Sequence, residues 1–290
     1  MRLAVKLFTG LHAGARAGTG WLWLAALALG LLAGPLLWAA SSPDLPAGLI
    51  IPAYRPGQVR FHPGDELRYR VSWMGLPVAM ARVTLSNEPS RAGSWAGDVW
   101  VATNPAIDVV YRFRAHLHEV LGAEELTSHL LTIKQRENRR ASEYVVRFKP
   151  EAGTVEASRH TSRGTQTKRF FATHPVGPIA GALLALSQPL ATGDNLTFDV
   201  FVGTNRYVFD FAVRGRETLA TDQGGNLTTV KVLPILRYIS AGRDHYRVSR
   251  VVAWLTADSR HTPVRIMADT FVGRVYVDLV GVGPANQAAR

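Results

Sequence analysis

Val251–Ala268 reads VVAWLTADSRHTPVRIMA. Val252 and Trp254 fall on one face of an extended segment, and Val251, Ala253 and Leu255 fall on the other, the period of two that a strand imposes. Asp258, Ser259 and His261 supply turn chemistry. Pro263 opens the return strand, where a missing N–H costs least. The stretch therefore predicts a hairpin, central in an antiparallel sheet to which earlier strands are added in sequence.

The same grammar extends in both directions. Leu196, Phe198, Val200 and Val202 alternate up to Gly203-Thr204-Asn205, and Tyr207, Phe209, Phe211 and Val213 repeat the pattern on the way back. Asp222–Asn226 turns the chain into Leu227–Leu233, and Val275, Val277 and Leu279 form a last strand. Toward the N-terminus, Pro63–Gly64 marks a turn. After it Leu67, Tyr69, Val71 and Trp73 oppose Arg68, Arg70 and Ser72. Gly75 ends that run, Pro77–Leu85 returns, Trp95–Ala102 reads as a third strand, and Ala106–Phe113 reads as a helical turn. His116–Phe171 is hairpin-rich, with Tyr144, Val146 and Phe148 on one face and Glu151-Ala152-Gly153 as a turn. Pro178–Ser187, PIAGALLALS, is the one helix of the body, opened by Pro178 and stopped by Pro189. The fold class is all-β: an antiparallel barrel, roll or strongly curved sheet of roughly a dozen strands with one short helix. No βαβ rhythm or fixed-period repeat is present.

The 290-residue chain contains no cysteine. That excludes a disulfide framework, a thiolate metal site, a cysteine nucleophile and a lipid-modified N-terminal cysteine. Residues 1–20 carry Arg2, Lys6 and Arg16 and no acid, and Trp21–Ala40 carries no charge. Residues 1–40 read either as a cleaved secretory signal, with Ala39-Ala40-Ser41 as the small-residue exit, or as an apolar anchor helix. Both place the body on the periplasmic side of the cell envelope, free or held in the inner membrane by residues 21–40. Residues 41–58, broken by Pro43, Pro46, Pro52 and Pro56, read as an extended linker. Residues 59–283 form the β domain and 284–290 a flexible tail.

The formal charge is +11. Ten of the basic residues lie between Lys134 and Arg169 against four acids, a local field that either attracts phosphates, on nucleic acid, lipid headgroups or acidic glycans, or is a solvated strand face and loops that maintain solubility. Lys134, Arg136, Arg139 and Arg140 head that run and are the expected anionic-surface residues. Nucleic acid is disfavoured as a partner by compartment.

Phe61-x-Pro63-Gly64-Asp65-Glu66-Leu67-x-Tyr69, the helix at Pro178 followed by Gly193-Asp194, and Trp254-Leu-Thr-Ala-Asp258 with Pro263-Val264 resemble the exported bacterial family catalogued as domain of unknown function 3108. The resemblance spans about residues 60–280. It implies a cell-envelope protein of antiparallel β architecture and carries over no catalytic residue. Ala79 stands where the resemblance leads one to expect glycine.

No catalytic or cofactor motif emerges. Asp258, Ser259 and His261 lie within one turn and read as turn-forming hydrogen bonders, and no G-x-S-x-G elbow occurs. Gly281-Val282-Gly283 lacks a third glycine and a following helix. Asp65 and Glu66, adjacent on a strand, point to opposite faces. His116 and His118 share a strand face. With His129 or Glu119 they would make a first-row metal site, and without a third ligand they are ordinary surface histidines. Tyr69, Trp73, Phe198, Tyr207, Phe209, Phe211 and Trp254 are the expected ligand-binding residues, rings that either line a concave apolar hollow or fill the core. The leading expectation is a non-enzymatic, periplasm-facing β domain that binds a lipid-like molecule or an envelope protein. The alternatives are a hydrolase or transferase acting on envelope lipid or glycan, and an adaptor on an anionic membrane surface.

Overall fold

Among the described residues, alternation of apolar and polar side chains underlies most of fifteen strands. The computed structural model describes residue 45 and residues 49–220, 225–239, 250–270 and 273–284. In chain order they form β1 (Asp65–Trp73), β2 (Leu76–Asn87), β3 (Ser94–Thr103), the single-turn helix α1 (Pro105–Asp108), β4 (Phe113–Gly122), β5 (Ser128–Glu137) and β6 (Arg140–Lys149). A 3-10 turn at Pro150–Ala152 leads to β7 (Thr154–Thr161), β8 (Gly164–Phe171), β9 (Pro175–Val176) and helix α2 (Pro178–Leu186). Then follow β10 (Asn195–Val202), β11 (Asn205–Ala220), β12 (Asn226–Ile239), β13 (Arg250–Thr256), β14 (Pro263–Thr270) and β15 (Gly273–Pro284). The expected apolar N-terminal helix over residues 21–40 lies outside the described residues, and no described helix is long and apolar enough to cross a membrane.

All strands join one sheet in the order β8-β7-β6-β5-β4-β3-β2-β1-β15-β14-β13-β12-β11-β10-β9. The Val251–Ala268 stretch is the β13–β14 hairpin, paired from Arg250↔Asp269 to Leu255↔Pro263. The strands are not laid down on one side of it in sequence, however. β1 pairs with β15, from Asp65↔Pro284 to Trp73↔Val275, so the chain's two ends meet in mid-sheet and a wing extends from each side. Bulges at Arg68/Tyr69, Val71/Ser72, Val120/Leu121, Val213/Gly215 and Trp254/Leu255 bend the strands and increase their twist. Gly215, with φ of 118°, supplies the left-handed residue that its bulge requires.

The curled sheet encloses α2. Seven of the helix's nine residues are buried, among them Ile179, Leu183 and Leu184, as expected for a helix apolar on all sides. Burying each of these three side chains contributes about 2 kcal/mol. Gly97 on β3 leaves the room: a Cβ there would lie 2.7 Å from Cδ1 and 2.8 Å from Cγ2 of Ile179. The first turn of a buried helix has N–H groups with no partner of its own, and Gly177 at the cap has no side chain to offer. Glu119 of β4, fully buried, does the work instead. Its Oε2 accepts from Ile179 N at 2.7 Å and its Oε1 from Ala180 N at 3.3 Å. Ser128 Oγ donates to Oε1 and accepts from Gly177 N, both at 2.7 Å.

Two expectations follow from this packing. Gly97→Ala should lower unfolding stability by about 1–3 kcal/mol in chemical denaturation, the usual cost of overpacking a filled interior; an unchanged midpoint would contradict the close approach of β3 and α2. Burial pushes the Glu119 carboxyl up from 4.5 to about 7, against the lowering influence of Ser128, Ile179 and Ala180. The folded state therefore holds a proton that the unfolded chain releases above about pH 4.5, and the stability this confers is full below that pH and lost as pH rises through 7. Glu119→Gln should remove about 3 kcal/mol of this decline, at about 1.36 kcal/mol per pH unit. An equally steep decline in the variant would contradict the assignment.

Candidate functional site

On the sheet face away from the core, β1 to β7 form the wall of a groove of about 880 Å³. Register builds it in two rows. Arg68, Arg82, Trp100, His116, Lys134, Glu143 and His160 are successive cross-strand partners from β1 to β7. Met80, Ala102, Arg114, Arg136 and Ala141 form a second row from β2 to β6. All twelve line the groove. Between them Ala81, Val101 and Ala115 also border the groove but are themselves buried, as expected where alternate side chains of a strand face the core.

The wall is mostly carbon with charged heads at its margins. Met80 and Trp100 are 46% and 42% exposed, large apolar surfaces for an outward sheet face. The Trp100 indole stacks on the His116 ring with centroids 3.5 Å apart and planes within 5°, and the Arg82 guanidinium stands 5.9 Å from the indole. Arg114 is committed to Asp108 of α1, with Nη1 donating to Oδ1 at 2.9 Å and to Thr103 Oγ1 at 3.0 Å. Lys134 reaches Glu143 at 3.7 Å across exposed surface, an attraction of little net worth in water. Arg82 and Arg136 have no acidic partner among the described residues.

At the edge of the groove Asp98 of β3 lies directly across from His118. Its Oδ1 is 2.6 Å from His116 Nε2 and 3.0 Å from His118 Nδ1. Burial pushes the Asp98 carboxyl up, but hydrogen bonds from both imidazoles outweigh it and hold the group at about 2. The hydrogen bond to Asp98 raises His118 above its ordinary value.

Asn104 ties the β1–β2 and β3–β4 connections together by donating from Nδ2 to Pro77 O and from N to Val78 O. The β1–β2 turn and the β3–β4 connection expose apolar side chains: Met74 at 66%, Leu76 at 60%, Val109 at 86% and Val110 at 56%.

The family model of a protein of unknown function, DUF3108, matches residues 68–280. The chain belongs to the DUF3108 family. Among solved structures, the beta-barrel-like protein of domain of unknown function DUF1849 from Brucella abortus matches with a TM-score of 0.54 at 11% identity, covering 78% of this chain and 99% of that one. A protein with a YmcC-like fold from Bacteroides fragilis gives 0.29 at 7% identity, over 79% and 99%. The first likeness shows a shared fold; the second is too low to add to it. No curated protein matches the chain.

Within this DUF3108 domain, Lys134 and Arg136 line the groove, while Arg139 and Arg140 stand exposed at the β5–β6 turn beside it. Six of the seven aromatic residues gather in or against the core, and Trp254 stands apart from them. Tyr69, Phe198, Tyr207 and Phe211 are buried in the core, and Trp73 and Phe209 pack against it. Phe209 lies 6.4 Å from Phe198 and 6.2 Å from Phe211. Trp254 instead bonds Glu217 through its indole nitrogen and lies beneath Lys231. None of the seven lines the groove. Glu119 is no partner of His116 and His118, because it points inward to cap α2. His129 lies beside Gly122 at the far end of β4. Asp98 is the third group instead, and Trp100 is the wall residue that sequence reasoning passed over. In the β13–β14 turn Asp258 Oδ1 accepts from Thr256 Oγ1 at 2.6 Å and Arg260 N at 3.0 Å. His261 Nδ1 lies 3.1 Å from Leu186 O rather than against a serine.

Proposed function

We propose that this domain is a non-enzymatic binding module of the cell envelope whose groove holds an anionic, acyl-bearing molecule. The observation that carries the reading is the groove itself. It has about 880 Å³ of volume, within the range of small-molecule sites. Its carbon wall of Met80, Ala102 and Trp100 suits an acyl chain, and Arg82, Lys134 and Arg136 suit a phosphate or carboxylate head. The apolar side chains exposed at the β1–β2 turn and the β3–β4 connection would suit a contact with the bilayer surface. The envelope setting rests on the charge pattern of residues 1–40, and it makes lipid the anion within reach.

Titration of the purified protein with dodecyl phosphate and with uncharged dodecyl maltoside tests this. Dodecyl phosphate should bind at least about tenfold more tightly, and the Arg82→Ala, Arg136→Ala double variant should lose that margin together with most of the salt dependence. Equal affinities for the two amphiphiles, or a double variant indistinguishable from the parent, would overturn the anionic-headgroup reading.

A further inference from the structure

We propose that Asp98, His116 and His118 form a binding site for a first-row divalent metal ion of the zinc class. The site adjoins the groove through His116, which lines it, but Asp98 and His118 do not, so metal binding and the groove's occupant are tested separately. Two imidazole nitrogens and a carboxylate oxygen are a donor set that suits such ions. Bonds of 2.0–2.1 Å in a tetrahedral shell set donor atoms about 3.3 Å apart. Here Asp98 Oδ1 already lies 2.6 Å from His116 Nε2 and 3.0 Å from His118 Nδ1, and no two of the three donor atoms are more than 4.8 Å apart. An ion entering the site needs Asp98 Oδ1 to draw back by roughly 0.3–0.7 Å from the two ring nitrogens, which themselves lie no more than 4.8 Å apart.

The rings are also held in place from behind, as metal-binding histidines are. His116 is stacked flat on Trp100. The far nitrogen of His118, Nε2, lies 3.8 Å from Glu88 Oε2, and Glu88 is itself fixed by Ser90, whose backbone N and Oγ donate to Oε1 at 2.9 and 2.5 Å. Each donor stands on a regular strand, β3 or β4, rather than on a loop, so the spacing is set by sheet register. Three protein donors leave a coordination position open for water or an anion. Arg82 and Lys134, cross-strand neighbours of Trp100 and His116, oppose a cation and place the expected affinity in the micromolar range.

Equilibrium dialysis of the full-length protein, purified without a histidine tag, against zinc decides the matter. The expected result is one zinc per chain, with Asp98→Ala and His118→Ala each weakening binding at least about tenfold and Glu88→Gln weakening it less. Arg136→Ala, a groove variant, should bind zinc at least as well as the parent. Asp98→Asn keeps the shape of the side chain and serves if the alanine variant fails to fold; thermal melting shows which variants are folded. Cobalt substitution adds a visible spectrum that reports coordination number. Absence of stoichiometric zinc binding at micromolar concentrations, or equal affinity in the parent and both folded Asp98 and His118 variants, would overturn the site. Either result would leave the dodecyl phosphate test of the groove standing.

Discussion

A helix with no polar face must be enclosed, and enclosing it leaves the N–H groups of its first turn without water. That constraint, met by Glu119 and Ser128 at the start of α2, governs the rest of the architecture. Two adjacent strands, β4 and β5, carry the capping pair, so the helix is locked to the β1–β8 wing. Gly97 and Gly177 are glycines because Ile179 and the Glu119 carboxyl occupy the space a Cβ would take. The opposite wing folds over the same helix through β10, whose Val200 lies near Gly181.

Once α2 and the aromatic residues fill the interior, each strand of the β1–β7 wing has one face left. That outward face carries basic side chains, and its two rows line the groove of about 880 Å³. The division holds over residues 98–101 of β3 and 114–118 of β4: Val99, Val101, Ala115 and Leu117 are buried, and Asp98, Trp100, Arg114, His116 and His118 are not. A single register thus aligns the core and composes the site. A slip of one residue would put the charges inside and empty the groove.

This explains which parts of the molecule were legible in the sequence. The strands were, because a half-buried strand must alternate. So was α2, since Pro178 and Pro189 bracket a stretch too apolar for any surface. Pairing was not: Asp98 sits alone in WAGDVWVAT, and nothing in that string says that it faces His118 across a nine-residue connection. The meeting of β1 with β15 depends on contacts more than two hundred residues apart, beyond any local pattern. Glu119 was within reach of the rule, since it neighbours His118 on a strand and must point to the other face. Its role as a cap still required knowing where α2 starts in space. The aromatic residues were read as either lining a hollow or filling the core, and Tyr69, Phe198 and Phe211 are buried in the core.

The claim that the outward face, not the interior, receives the ligand is tested most directly by locating a bound chain. A crystal of the protein with an alkyl phosphate brominated at its terminal carbon gives an anomalous peak at the bromine. The account predicts that peak against Met80 and Trp100, with the phosphate beside Arg82 or Arg136. A peak among Phe198, Phe209 and Phe211 would contradict it.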